Sequence, residues 1–162
     1  MILATHVITG ASIASLVPEH PAIGFIAGFV SHFILDSIPH WEYKIPPSLV
    51  GHEGVGKMKF DRELILGLLR IFLDLFFGLI IAFLIFFWTK GFSVSIFCGI
   101  IGAILPDILT AVSRYLKFEP FFSIDRFHHF IHSPKKMEDW YFWGPVMQVA
   151  IVFVFVFVAK ML

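Results

Sequence analysis

The sequence predicts an all-α fold, a polytopic membrane helix bundle of about five hydrophobic helices with a cytoplasmic interfacial helical segment. Three observations carry this. The 162 residues are 58% hydrophobic and only 15% charged, against about 45–50% and about 25% in a soluble domain. The mean hydropathy is +0.87. The apolar residues also gather in runs near the ~20 residues that cross a bilayer core as a helix. No internal repeat or dividing linker interrupts them, so residues 1–162 read as a single integral membrane domain.

The elements follow in order. Residues 2–17 form a first apolar run, closed by "PEHP", where Pro18 and Pro21 break the helix. Residues 22–38 follow at once, so the two predict a tight helical hairpin. Both runs are short for a full span, which leaves tilt, shielding by other helices or incomplete crossing open. Residues 63–88 and 92–113 are long apolar runs separated by "TKG". Residues 142–160 end in "VAIVFVFVFVAK". That alternation reads as a strand in water, but a lone strand leaves its backbone unpaired in lipid, so a helix is expected. Trp41, Trp88, Trp140 and Trp143 fall near predicted helix ends, as an aromatic belt does.

Two polar stretches, 40–62 and 114–141, lie on the same side as the N-terminus if all five runs cross. That side carries Lys44, Lys57, Lys59, Arg62, Arg114, Lys117, Arg126, Lys135 and Lys136, against Lys90 and Lys160 opposite. The asymmetry predicts a cytoplasmic N-terminus in the inner (cytoplasmic) membrane. No Lys or Arg precedes the first apolar run, which speaks against a secretory signal. With 12 basic and 12 acidic residues the chain offers no footprint for nucleic acid. The single Cys98 excludes a disulfide within the chain and any multi-cysteine metal site.

Ionisable groups in membrane helices are costly and mark candidate functional sites. Here they are His6, His32, Asp36, Arg70, Asp74 and Asp107, with His40, His128, His129 and His132 at the boundary. Imidazole and carboxylate without thiolate is the donor set of divalent transition metals. His32 and Asp36 in "SHFILDSIPHW" are four apart and share a helix face, as do His128 and His132 in "HHFIH". Depth points the same way. His6 opens the first helix and His32 and Asp36 close the second. Asp107 lies about six residues, roughly 9 Å, from the cytoplasmic end of its helix. Asp74 reaches that level if its ~39 Å helix overhangs the ~30 Å core on the cytoplasmic side.

The predicted metal ligands are therefore His6, His32, Asp36, Asp74, Asp107, His128 and His132. Asp107 and Asp74 are the candidate proton acceptors, and Arg70, Lys135 and Lys136 the candidate anion-binding groups. Seven donors exceed the four of one zinc, so one or two ions are expected, zinc first. His52 and Glu53 read as solvated loop residues. Rival readings are a metal or proton transporter and a non-catalytic module whose polar groups join helices. The apolar outer halves of the helices count against a transport path.

"THVITG" near the start, "LPD" at 105–107 and "HHFIHS" at 128–133 resemble the YdjM-like membrane-bound metal-dependent hydrolases of bacteria and archaea. Thr5-His6, Pro106-Asp107, and His128 with His132-Ser133 are the matching positions. Leu109 stands where that family carries a second acid, His129 replaces an Arg and Ile131 a Thr. "HFILD" is similar to the metal-binding helix of zinc-dependent phospholipase C proteins. The resemblance implies metal-dependent hydrolysis. A site at headgroup depth then suits a phosphoester or ester of a lipid, with the bilayer as the chain's permanent partner.

Overall fold

The computed structural model describes residues 1–43, 61–88, 91–116, 119–133, 137 and 139–162, with the backbone alone at 114–116. Among the described residues there are six α-helices: α1 (Leu3–Ala14), α2 (Pro21–Ser37), α3 (Arg62–Ala82), α4 (Val94–Leu116), α5 (Phe121–Ile131) and α6 (Trp143–Met161). α3 runs on into a π-helical segment, Phe83–Phe87. Among the described residues there is no strand. The Val-Phe alternation near the C-terminus is helical, as backbone satisfaction in lipid requires.

Among the described residues three helical stretches are long and apolar enough to cross a membrane: Arg62–Phe87, Val94–Ser113 and Trp143–Met161. The expectation of about five spanning helices is met only to that extent. α1 and α2 are apolar but have 12 and 17 residues. At 1.5 Å per residue they reach about 18 Å and 26 Å, short of a ~30 Å core. The Pro18–Pro21 break limits both, and Pro21 takes the first helical position of α2, where its missing amide costs nothing.

α1 is instead the centre of the bundle. It packs against α2, α3, α4 and α6, and nine of its residues are buried, among them His6, Val7 and Ala11. Val7 and Ala11 join Ala82, Phe86, Ile96, Ile100 and Ala159 in the apolar core. The helices approach closely where side chains are absent. A Cβ on Gly28 would overlap the Gly99 carbonyl, and one on Gly10 would stand 2.6 Å from it. Small residues at crossing points are how helices gain dispersion contacts where water gives no drive to associate.

The helix starts show how the polar residues divide between structure and site. Asp61 caps α3 by accepting from the Leu64 amide at 2.8 Å. α1 has no side-chain cap from its own N-cap residue. Its first amides are taken by other helices: Leu3 and Ala4 donate to Asp74 of α3 at 2.6 and 3.2 Å, and Ile2 to Gln148 of α6 at 3.1 Å. Orphan amides at a buried helix end need such acceptors. The predicted interfacial segment contains α5, an amphipathic helix packed on α4 and α2.

Candidate metal centre

The site is built around the last turns of α2. His32 and Asp36 stack four residues apart on its inner face and are 0% and 1% exposed. α1 brings His6 against them, its ring stacked on that of His32 with centroids 4.1 Å apart. α4 contributes Asp107, and α5 contributes His128 with His132 at its C-cap. Two backbone bonds tie the chain after α5 to the end of α2: Ser133 N to Asp36 O at 2.8 Å and Met137 N to His40 O at 3.2 Å.

Asp36 is the hub. Its Oδ2 lies 3.0 Å from His128 Nε2 and 3.2 Å from His32 Nε2. Its Oδ1 lies 3.1 Å from His6 Nε2 and 2.7 Å from the Met1 amine. Asp107 Oδ1 is 3.7 Å from His32 Nε2 and 3.9 Å from His128 Nε2. The ligand atoms of His32, Asp36, Asp107 and His128 all fall within 4.8 Å of one another, and this group can hold a metal ion. Donors about 2.0–2.1 Å from one tetrahedral ion stand about 3.3–3.4 Å apart. The observed spacings bracket that value, and His32 Nε2 to His128 Nε2 measures 3.3 Å.

A second group able to hold a metal ion adjoins it: Asp36, His40 and His132. Both imidazoles stand 3.9 Å from Asp36. Glu42 Oε1 sits between them, 2.8 Å from His40 Nε2 and 2.9 Å from His132 Nε2. Burial pushes the Glu42 carboxyl up, but its hydrogen bonds with His132 and His40 outweigh this and hold it well below the usual carboxylate range. The same Glu42 contact raises the His132 imidazole above its ordinary value.

The outer ring nitrogens give the cluster its chemistry. His32 Nδ1 donates to Ala103 O at 2.7 Å and His40 Nδ1 to Ile38 O at 2.6 Å. His132 Nδ1 donates to Ser133 O at 3.3 Å. A carbonyl only accepts, so Nδ1 carries the proton and Nε2 is left to face the cluster. His128 Nδ1 meets the Thr110 hydroxyl at 2.8 Å. Nε2 lone pairs aimed at one another and at carboxylates repel unless cations stand among them; the Met1 amine is one, 2.7 Å from Asp36 Oδ1 and 3.2 Å from Glu42 Oε1, and protons or a metal ion would supply the rest. His6 sharpens the point. It is fully buried, and neither ring nitrogen has a hydrogen bond of acceptable geometry among the described residues, although Nε2 is 3.1 Å from Asp36.

Of the sequence-predicted ligands, His6, His32, Asp36, Asp107, His128 and His132 converge. Asp74 is brought elsewhere. Its carboxylate receives the first amides of α1 and, at 3.3 Å, the Tyr43 hydroxyl. Burial, then the charge of Asp74, push the Tyr43 phenol above its ordinary value, so it remains a donor. Arg70 lies on the exposed side of α3, one turn before Asp74. His129 is exposed beside Asp125, 3.6 Å away. Lys135, Lys136, His52 and Glu53 lie outside the described residues. Sequence reasoning missed Glu42 and left His40 out of the ligand set. The signal was there: after Pro39 the chain is extended, and in extended chain residues two apart, as His40 and Glu42 are, point to one side. Thr110, one residue past the Leu109 that departs from the acidic motif, is the hydroxyl that orients His128.

Compared with known proteins, the chain matches no family model, no curated protein and no solved structure.

Proposed function

We propose that this chain is a membrane-embedded metal-dependent hydrolase of the YdjM-like kind, acting on a phosphoester or ester at the cytoplasmic leaflet of the inner membrane. One observation carries the reading. The Nε2 atoms of five histidines from three separate stretches of chain meet the Asp36 carboxylate within 4 Å, and in three of the five Nδ1 is engaged by a carbonyl. Ligating histidines are oriented in that way.

His32, Asp36, Asp107 and His128 would hold one ion, and Asp36, His40 and His132, with Glu42 beside them, a second. Nitrogen and oxygen donors at near-tetrahedral spacing favour zinc. Such an ion supplies Lewis acidity and brings the pKa of water to about 7. The chain's own residues do the rest. Asp36 spans both groups and fixes their separation. Asp107, whose side chain is 36% exposed, is the carboxylate open to an incoming molecule, and its free oxygen accepts the proton of the attacking water. His6, fully buried with Nε2 3.1 Å from Asp36 Oδ1, would orient that carboxylate from behind.

Turnover tests the reading. Detergent-purified protein loaded with zinc should hydrolyse at least one member of a panel of nitrophenyl phosphoesters and esters. Chelation should abolish that activity, and it should return on resupply. Asp107→Asn should lower kcat by roughly 10²–10⁴-fold, as the loss of a general base does. A non-catalytic module predicts no turnover, and Asp107→Asn then alters stability alone.

A further inference from the structure

Beside the candidate centre, α2 and α5 line a shallow, open groove of about 440 Å³ formed by Phe29, Val30, Phe33, Ile34, Phe127 and Ile131, with Ser37 at one end. From Phe29 to Ser37 it follows about 12 Å of helix. We infer that this groove receives one hydrocarbon chain of a lipid phosphoester whose head is held at the Asp36 centre. The inference rests on the hydrolase reading for what happens to the head, and on the following geometry for the chain.

The groove and the ligands share a wall. The Phe33 ring meets the His32 ring at 5.5 Å and the His128 ring at 5.8 Å, edge to face in both cases. On its other side Phe33 meets Phe127 at 5.1 Å. The register repeats on both helices. On α5, Phe127 and Ile131 each precede a ligand histidine by one residue. On α2, Phe33 and Ile34 follow His32. A one-residue step turns a helix by about 100°, so each helix shows ligands on one face and groove on the next, at one level. A head at the centre and a chain in the groove are therefore parts of one molecule.

The groove also continues the surface that apolar helices offer to lipid. Ile23, Ile26, Val30 and Ile34 are 51, 59, 48 and 57% exposed, and their spacing of three, four and four residues keeps them on one stripe of α2. That stripe leads into the groove, so a chain enters sideways from the bilayer without crossing water. The two ligand groups sharing Asp36 would suit a phosphoester, because a pair of ions held there would supply charge to both the attacking and the leaving oxygen of an in-line displacement.

The test uses full-length protein in nanodiscs with zinc and a dodecyl phosphate whose chain ends in a diazirine. On photolysis the label should fall on residues 29–37 and 127–131, be displaced by dodecyl phosphate, and fade in Asp36→Asn. Val30→Trp and Ile34→Trp, which fill the groove from its lipid side, should weaken labelling about tenfold or more, as lost chain contact requires. Labelling spread evenly over the outer faces of α3 and α6, and indifferent to Asp36→Asn, would overturn the inference. Localised labelling without turnover of any ester would keep the groove and remove the hydrolase. Turnover with dispersed labelling would do the reverse.

Discussion

Asp36 decides the behaviour of the site, because its two oxygens serve different neighbours. Asn at this position keeps the shape, removes the charge and puts an amide donor where an acceptor is needed. Asp36→Asn should reduce bound metal to background, with turnover lost alongside it, as read by elemental analysis and a hydrolysis assay. Thr110→Val leaves every ligand in place but frees His128 Nδ1. Loss of such an orienting partner weakens metal affinity by roughly 10–100-fold, measurable by competition with a chromophoric chelator. Protons compete with metal at the same nitrogens. In the metal-free protein the lowered Glu42 favours folding above its ordinary value of about 4.5, and the raised His132 favours folding below about 6.5. The pair therefore stabilises the metal-free fold most between those limits, and the His132 part is lost as pH rises through its raised value. Metal needs neutral imidazole, so its affinity should instead climb from about pH 6 to pH 8, with protons released on binding. Titration calorimetry in two buffers of different ionisation enthalpy reads that release, and a flat profile would contradict it.

Elements explain which of these residues the sequence made legible. His32 with Asp36 and His128 with His132 were legible because helical spacing alone puts each pair on one face. Asp74 shares their composition and nominal depth, yet it serves as the acceptor for the start of α1. That role is a contact between distant helices, and periodicity within α3 carries no trace of it. Asp74→Ala should therefore destabilise the fold by about 1–3 kcal/mol, the cost of leaving buried amides unpaired, while the metal content of folded protein stays at the wild-type level. Thermal unfolding followed by elemental analysis of the soluble fraction separates the two effects. Glu42 was harder to see because it follows Pro39 on extended chain, where helical spacing no longer applies. Gln148 shows why: the segment carrying His40 and Glu42 is fixed from α6, whose Gln148 amide donates to Trp41 O at 2.8 Å while its carbonyl accepts from Thr5 at 3.1 Å.

At the scale of the molecule, composition and hydropathy were enough for the all-helical class and for helices able to cross a membrane. They were not enough for the number of crossings. Hydropathy measures distaste for water, and a helix sheathed by its neighbours satisfies it as well as one facing lipid does. α1 has nine of its 12 residues buried, so its apolar character is that of a core helix. The candidate centre depends on that arrangement, since a central α1 carries His6 to α2 while α3 and α6 hold its first amides. The fold thus keeps α1 in the core, while α2 carries ligands on one face and exposed apolar residues on another.

The most direct measurement is metal stoichiometry. Purified wild-type protein, His32→Ala and His132→Ala should be resupplied with zinc, freed of excess and analysed for metal per folded chain. Two adjoining groups joined by Asp36 predict up to two ions in wild type, with each variant losing the ion of its own group. Well-folded wild type that retains no metal after resupply, or variants that keep the full complement, would contradict the account.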